Sequence, residues 1–112
     1  MDCNQDECIT PITPFDKRIF YKVVEFEELL DSSNLTIQDQ INIALSIKEN
    51  YHNYDAFIVL HGTDTMAYTA SSLSFMLENL NKPVILTGSQ IPILELKNDA
   101  VDNFLGALLI AG

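Results

Sequence analysis

Hydrophobic and polar positions alternate along the chain in blocks that predict strands and helices in turn. Residues 19–26 are rich in β-branched and aromatic side chains, which favours a strand. Residues 37–51 carry apolar side chains at helical spacing, and residues 56–60 form an unbroken apolar run typical of a strand buried on both faces. An apolar stripe through residues 66–80 then predicts a second helix.

The last third of the chain repeats this strand and helix order. Pro83 cannot continue the second helix, and residues 84–86 form another short apolar run that predicts a third strand. Asn98 or Asp99 can cap a last helix, whose apolar residues recur at helical spacing as far as Leu109. The order β-α-β-α-β-α with right-handed crossovers predicts an α/β fold with a doubly wound parallel sheet.

Polar turns follow the second and third predicted strands. Residues 61–65 read His-Gly-Thr-Asp-Thr, and residues 87–90 read Thr-Gly-Ser-Gln. The carboxyl ends of parallel strands share one edge of the sheet, which is where open α/β sheets bind ligands. Another interpretation is that Thr63, Asp64 and Thr65 only cap the helix, since Thr and Asp dominate N-caps. His61 is predicted to be a core histidine that donates a hydrogen bond inside the turn.

A further polar cluster, residues 31–36, lies before the first helix. It is either a turn in which Thr36 and Asp39 form a capping box, or a loop that holds a substrate.

Charge and composition exclude several kinds of partner. Six Lys and Arg residues oppose sixteen Asp and Glu residues, a net charge of −10, which argues against nucleic acid and anionic membranes. No apolar run approaches the length of a membrane span. No glycine-rich nucleotide motif is present, so no cofactor is predicted, and His61 and Asp64 alone are too few ligands for a metal site.

Residues 1–18 are predicted to be a loosely ordered leader ahead of a domain over residues 19–112. The leader contains Pro11 and Pro14, and its polar, acidic start does not resemble a secretory signal. Cys3 and Cys8 are predicted to be reduced thiols of a cytosolic protein.

Three segments that include the polar blocks resemble the asparaginase/glutaminase family, especially its cytoplasmic type I branch; they are residues 30–36, 61–70 and 87–92. The resemblance covers residues 19–112 and implies an incomplete, Rossmann-like amino-terminal domain. It also implies hydrolysis of L-asparagine to L-aspartate and ammonia with a Thr nucleophile, in a homo-oligomer (dimer or tetramer) whose subunits share sites.

The resemblance implies a role for each matching residue. Thr63 is the second catalytic threonine, and Asp64 holds the amino group of the substrate and polarises a Thr–Lys relay. Ser32 contacts the α-carboxylate of the substrate. The other implied substrate-binding residues are Asp31, Gly62, Ser89 and Gln90.

Two family elements have no counterpart in this sequence. No Gly-Gly-Thr-Ile-Gly turn precedes residue 19, and Lys97 does not match the lysine of the family, which lies beyond residue 112. We therefore expect a partial chain that is inactive alone. The alternatives are a non-catalytic remnant that binds an amino acid and, more weakly supported, the lysophospholipase activity ascribed to some relatives.

Overall fold

The computed structural model describes residues 2–4 and 7–112, which form two small sheets and three α-helices. The α/β class predicted from the sequence is confirmed. In chain order the elements are β1 (Asp2–Asn4), β2 (Glu7–Ile9), β3 (Phe20–Tyr21), a 3-10 helix (Ser32–Asn34), α1 (Ile37–Asn50), β4 (Phe57–Leu60), α2 (Met66–Met76), β5 (Val84–Thr87) and α3 (Ala100–Ala111).

The strands β4 and β5 are parallel neighbours that α2 connects, as the sequence predicts. Their register pairs Phe57 with Val84 and Leu60 with Thr87, so the two strands end level. The His61 N–H donates to the Thr87 carbonyl at 2.9 Å, which extends the pairing one residue past β4. The two polar turns therefore leave the sheet side by side.

The core lies between this sheet and the first two helices. Ile43 and Ile47 of α1 and Leu73 of α2 are buried together. Side chains alternate between the faces of a strand, so one face of β4 and β5 supplies every second residue to this core. The partly buried residues packed against it are Leu35, Ala44, Phe57, Val59, Leu77, Val84 and Leu86.

The helix α3 also packs against β4 and β5, and its Ala107 and Leu108 are buried. Its Phe104 ring meets the Tyr21 ring edge-on, with 5.6 Å between the ring centroids. This contact joins α3 to the small antiparallel sheet formed by β1, β2 and β3.

The predicted strand over residues 19–26 is wrong in its length. Only Phe20 and Tyr21 are in a strand, and they pair antiparallel with β2. Thr10 explains this pairing, because its N–H donates to the Ile19 carbonyl while its hydroxyl accepts the Ile19 N–H. Since this run pairs with β2 and β4 pairs with β5, a doubly wound parallel sheet is not confirmed for the described residues.

The amino-terminal segment contains two short strands, β1 and β2. β1 and β2 pair antiparallel, and their register places Cys3 opposite Cys8. Cys8 is disulfide-bonded, so the prediction of reduced thiols is wrong for this residue. The sequence pattern did not predict this bond, because it does not predict the strand β2 that contains Cys8.

The helix ends give one confirmation and one correction. Thr36 and Asp39 form the predicted capping box at the start of α1, with the Asp39 N–H at 3.2 Å from the Thr36 hydroxyl. The helix α2 ends at Met76, four residues before the predicted Leu80, which is 39% exposed. Asn79 adopts a left-handed conformation (φ 54°), which turns the chain away from the helical path.

In the described part of the chain, no helix is both long enough and apolar enough to cross a membrane.

Candidate functional site

The turn after β4 packs on Ser32 and is hydrogen-bonded to it. The Asp64 N–H donates to the Ser32 hydroxyl at 3.2 Å, and the Thr65 hydroxyl donates to the Ser32 carbonyl at 2.8 Å. Ser32 is only 3% exposed, because the turn covers it. Two of the three predicted loops are thus in direct contact.

Helix capping does not account for the threonines of this turn. Thr65 occupies the N-cap position of α2 but makes no side-chain capping bond, and its hydroxyl instead donates to the Ser32 carbonyl. Among the residues that the structure describes, the Thr63 hydroxyl and the Asp64 carboxylate have no hydrogen-bond partner. Thr63 is half-buried and Asp64 is exposed. A hydroxyl and a carboxylate are therefore free to meet a ligand at the rim of the sheet.

Position 62 has no room for a side chain, so glycine is required there. A Cβ at this position would lie 2.7 Å from the Ser32 hydroxyl oxygen and 2.8 Å from the Ser32 Cβ. Its φ angle is not positive, so the turn does not depend on the conformational freedom of glycine. The missing side chain lets the turn lie directly on Ser32.

His61 fixes the start of the turn, as predicted for a hydrogen-bonded core histidine. It is buried, and its Nδ1 lies 2.5 Å from the Gly62 carbonyl oxygen. Its Nε2 lies 2.8 Å from the hydroxyl of Thr69, which is fully buried in α2. Because a carbonyl only accepts, Nδ1 carries the hydrogen, and in a neutral ring Nε2 accepts from Thr69.

The loop after β5 brings Gln90 to the same place. Gly88 lies against the carbonyl of His61, and Gln90 lines an open cleft of about 580 Å³ together with Thr63. The other residues that line the cleft are Met66, Ala67, Ala70, Val84 and Leu86. The cleft thus has a polar end at the turns and apolar walls from α2 and β5.

Two of the predicted substrate-binding residues, Asp31 and Ser89, are not among the residues that line the cleft. The Asp31 carboxylate accepts the Ser33 N–H at 3.1 Å and caps the 3-10 helix, so part of its acceptor capacity is used locally. Ser89 is half-buried between Gly88 and Gln90. Within residues 2–4 and 7–112, no group of three or more His, Cys, Asp and Glu side chains could hold a metal ion.

Asp99, which the sequence suggests only as a possible helix cap, and Asn103, which no sequence motif singles out, also belong to this region. The Asp99 carboxylate accepts the N–H groups of Gln90 and Ile91, each at 3.0 Å, and the Asn103 side chain at 3.1 Å. The backbone N–H of Gln90, followed by that of Ile91, lowers the pKa of Asp99 below the ordinary aspartate value. The signal in the sequence was the four-residue spacing of Asp99 and Asn103, which places both on one face of α3.

We expect the Asp99 contact to persist in acid. Because the pKa is lower in the folded chain, its stabilising effect is complete above the pKa of an unfolded-chain aspartate. The effect is lost only as the pH falls through the lower folded pKa. NMR titration of the Gln90 and Ile91 amide shifts should give a midpoint below that of Asp99 in a peptide of residues 96–102. A midpoint equal to or above the peptide value would contradict this.

We expect Ser32→Ala to loosen the turn. Removing the hydroxyl leaves the Asp64 N–H without its acceptor, which should cost about 1 kcal/mol of unfolding free energy. Hydrogen exchange at the Asp64 amide should accelerate in the same variant. Ser33→Ala is the matched control, because Ser33 is exposed and its side chain makes no hydrogen bond among the described residues. Equal stability and equal exchange in both variants would show that Ser32 does not hold the turn.

This geometry defines a class: an α/β domain with a polar cleft at the carboxyl ends of two parallel strands. Residues 3–112 match the family model described as Asparaginase, N-terminal. The chain therefore belongs to the asparaginase family. The match begins sixteen residues earlier than the resemblance over residues 19–112.

Individual relatives agree with this assignment. L-asparaginase 1 of Escherichia coli K12 is 58% identical over 91 residues, which are 81% of this chain and 27% of the relative. The 60 kDa lysophospholipase of Mus musculus is 53% identical over 108 residues, covering 96% of this chain and 19% of the relative. The crystal structure of L-asparaginase I from Vibrio cholerae matches 79% of this chain and 27% of its own, with a TM-score of 0.76 and 58% identity. The chain thus spans between about a fifth and about a quarter of these relatives.

Proposed function

We propose that this chain supplies the substrate-holding loops of an L-asparaginase-type amidohydrolase, which converts L-asparagine to L-aspartate and ammonia. Membership of the asparaginase family supports an amidohydrolase. The observation that carries the proposal is the meeting of three loops at one edge of the sheet. Ser32 lies under the turn that carries Thr63 and Asp64, and Gln90 lines the cleft beside Thr63.

In this proposal Asp64 binds the α-amino group of the substrate. Its carboxylate is exposed and has no hydrogen-bond partner among the described residues, so it can accept from an ammonium group. Ser32 accepts the Asp64 N–H and still has its hydroxyl hydrogen, which it can donate to the α-carboxylate of the substrate. Because the turn covers Ser32, which is 3% exposed, this donation requires the turn to move away from Ser32 when the ligand binds. Asp31, Gly62 and Ser89 are proposed to border the same ligand.

The proposed chemistry passes through an ester. A threonine hydroxyl attacks the side-chain amide carbon, its proton reaches the departing nitrogen, and ammonia leaves. Water then hydrolyses the ester, which releases L-aspartate and restores the hydroxyl. Thr63 is proposed as the second threonine, which works with a lysine, while the attacking threonine and the lysine match no position of this chain. We therefore propose that the chain is inactive without them.

We also propose that β4 and β5 belong to a larger, doubly wound parallel sheet in a full-length enzyme. The parallel pairing of the two strands and the helices packed against them support this. The described residues also leave many large apolar side chains exposed, among them Leu29, Leu94 and Leu96. Burial in a larger domain or in a homo-oligomer would remove this apolar surface from water.

The test combines the chain itself with a chimera. In the chimera, the matched 91 residues of E. coli L-asparaginase 1 are replaced by those of this chain. We expect the chimera to release ammonia from L-asparagine, and the 112-residue chain alone to release none. A folded chimera without activity would contradict the proposed function.

A binding module without catalysis is the second candidate. It is favoured by the same observation, because the loops that are proposed to hold a ligand meet within this chain. Calorimetry of the chain with L-aspartate measures this directly. Heat of binding together with an inactive chimera would favour the module over the enzyme.

The name of the mouse relative suggests one further assay. Incubating the chimera with a lysophospholipid and measuring released fatty acid would detect that activity. Fatty acid release without ammonia release would replace the asparaginase proposal.

We propose a cytoplasmic location, following the type I branch. The disulfide bond of Cys8 argues against this, because the cytosol keeps most thiols reduced. Alkylation of the protein in acid-quenched cells would test the proposed location, since the thiols of a cytoplasmic protein should be reduced and should react.

A further inference from the structure

Asp99 lies at the start of α3 but does not cap it. It occupies the residue before Ala100, yet its carboxylate makes no capping bond to the helix. Asn98 performs that function instead, because its side-chain oxygen accepts the Ala100 N–H at 3.0 Å. The Asp99 carboxylate is thus free to serve another part of the molecule.

That part is the loop after β5. One carboxylate oxygen of Asp99 accepts the Ile91 N–H at 3.0 Å. The Gln90 N–H donates to both oxygens, at 3.2 Å to this one and at 3.0 Å to the other. Asn103 lies one turn further along α3. Its side-chain N–H₂ group donates to Asp99 at 3.1 Å and to the Gly88 carbonyl at 2.8 Å. The pair therefore holds the loop at both ends, at Gly88 and at Gln90–Ile91.

The loop is attached to the candidate site on its other side. Gly88 lies against the His61 carbonyl, and Gln90 lines the cleft with Thr63. A shift of this loop would change the width of the cleft at its polar end. The position of Gln90 relative to the turn thus depends on contacts made from α3.

We propose that Asp99 and Asn103 are positioning residues, which hold residues 88–91 in the conformation that binds the amino-acid ligand. Their role in ligand binding rests on the proposed function, whereas their role in loop conformation does not. Neither side chain lines the cleft, so they act through Gln90 and Gly88.

The geometry requires a carboxylate at residue 99. Asp99 receives three N–H donors and has only acceptor atoms facing them. An asparagine would turn its N–H₂ group towards one of these donors. If that group faced Asn103, the Asn103 amide would have to flip and would lose its bond to the Gly88 carbonyl.

The loop test uses four variants of the 112-residue chain. They are Asp99→Asn, Asp99→Glu, Asn103→Ala and the control Asp102→Asn. The Asp102 carboxylate is exposed, lies in the first turn of α3 and has no hydrogen bond among the described residues. NMR hydrogen exchange at the Gln90 and Ile91 amides is the readout. We expect exchange to accelerate about tenfold or more in Asp99→Asn, because a charge-assisted hydrogen bond is lost.

The other variants distinguish positioning from a general loss of folding. Asp99→Glu should restore part of the protection, and Asp102→Asn should match the original chain. Asn103→Ala should accelerate exchange at Gln90, even if Asp99→Asn fails to fold. Unchanged exchange in both Asp99→Asn and Asn103→Ala would overturn the inference.

The ligand arm uses L-aspartate with the chain and L-asparagine with the chimera. We expect Asp99→Asn to weaken L-aspartate binding about tenfold and to raise KM more than it lowers kcat. If the original chain and chimera neither bind nor turn over the ligand, the proposed function fails, while amide exchange still decides the loop role. If the loop loosens but affinity and KM stay unchanged, the positioning role for the ligand is overturned.

Discussion

Gly88→Ala should destabilise the chain by about 3 kcal/mol or more, a cost typical of severe overpacking. An added Cβ would lie 2.1 Å from the backbone carbonyl oxygen of His61 and 2.9 Å from the Met66 Cε. The methionine end can move, but the carbonyl cannot move easily. The His61 N–H is bonded to the Thr87 carbonyl, which keeps the ends of the two strands together.

Gly106→Ala is the control for this substitution. Gly106 lies inside α3 and has no atom within 4 Å of an added Cβ. The alanine should therefore stabilise the chain by about 0.5–1 kcal/mol, because glycine is unfavourable in a helix. Urea unfolding followed by circular dichroism compares the two variants. A Gly88→Ala variant as stable as the original chain would show that the two turns are not packed as described.

Local patterns predicted the elements whose ends are set by nearby residues. The capping box of Thr36 and Asp39 marked the start of α1, and the apolar run before His61 marked β4. The parallel pairing of β4 with β5 followed from the helix between them, because such a connection favours parallel strands. These local features are sufficient to place the two polar turns at the same edge of the sheet.

Features that depend on distant partners were not predictable in this way. The composition of the run that contains Phe20 is compatible with a strand in either sheet. Only the hydrogen bonds between Thr10 and Ile19 show that this run pairs with β2. An aspartate before a helix looks like a cap, yet Asp99 instead accepts N–H groups eight and nine residues earlier in the chain. The role of Thr65 depends in the same way on Ser32, more than thirty residues away.

The contacts within the candidate site also depend on residues that are distant in the sequence. The blocks around Ser32, Thr63 and Gln90 were expected to meet because of a family resemblance and the rule for parallel strands. Their contacts depend on missing side chains at Gly62 and Gly88, since a Cβ at either position would collide with its neighbour. A turn motif alone does not reveal which neighbour a glycine accommodates.

The largest effect on activity is expected from Asp64→Asn and Thr63→Val in the active chimera. Removing one member of a catalytic group that acts as a unit lowers the rate by about 10⁴-fold or more. Under the proposed function, Asp64→Asn removes the charge that binds the substrate amino group. Thr63→Val removes the hydroxyl and keeps the shape. Thr63→Ser should retain part of the activity, because it keeps the hydroxyl.

The fold should survive both changes, which makes the assay informative. Asp64 is exposed, and neither its carboxylate nor the Thr63 hydroxyl has a hydrogen-bond partner among the described residues. Asp55→Asn is the matched control, because Asp55 is also exposed but lies before β4, at the opposite end of that strand. Ammonia release from L-asparagine should be unchanged in this control. If Asp64→Asn kept its activity within about tenfold of the chimera, this carboxylate would not be the group that binds the substrate, and the roles proposed for the turn would have to be abandoned.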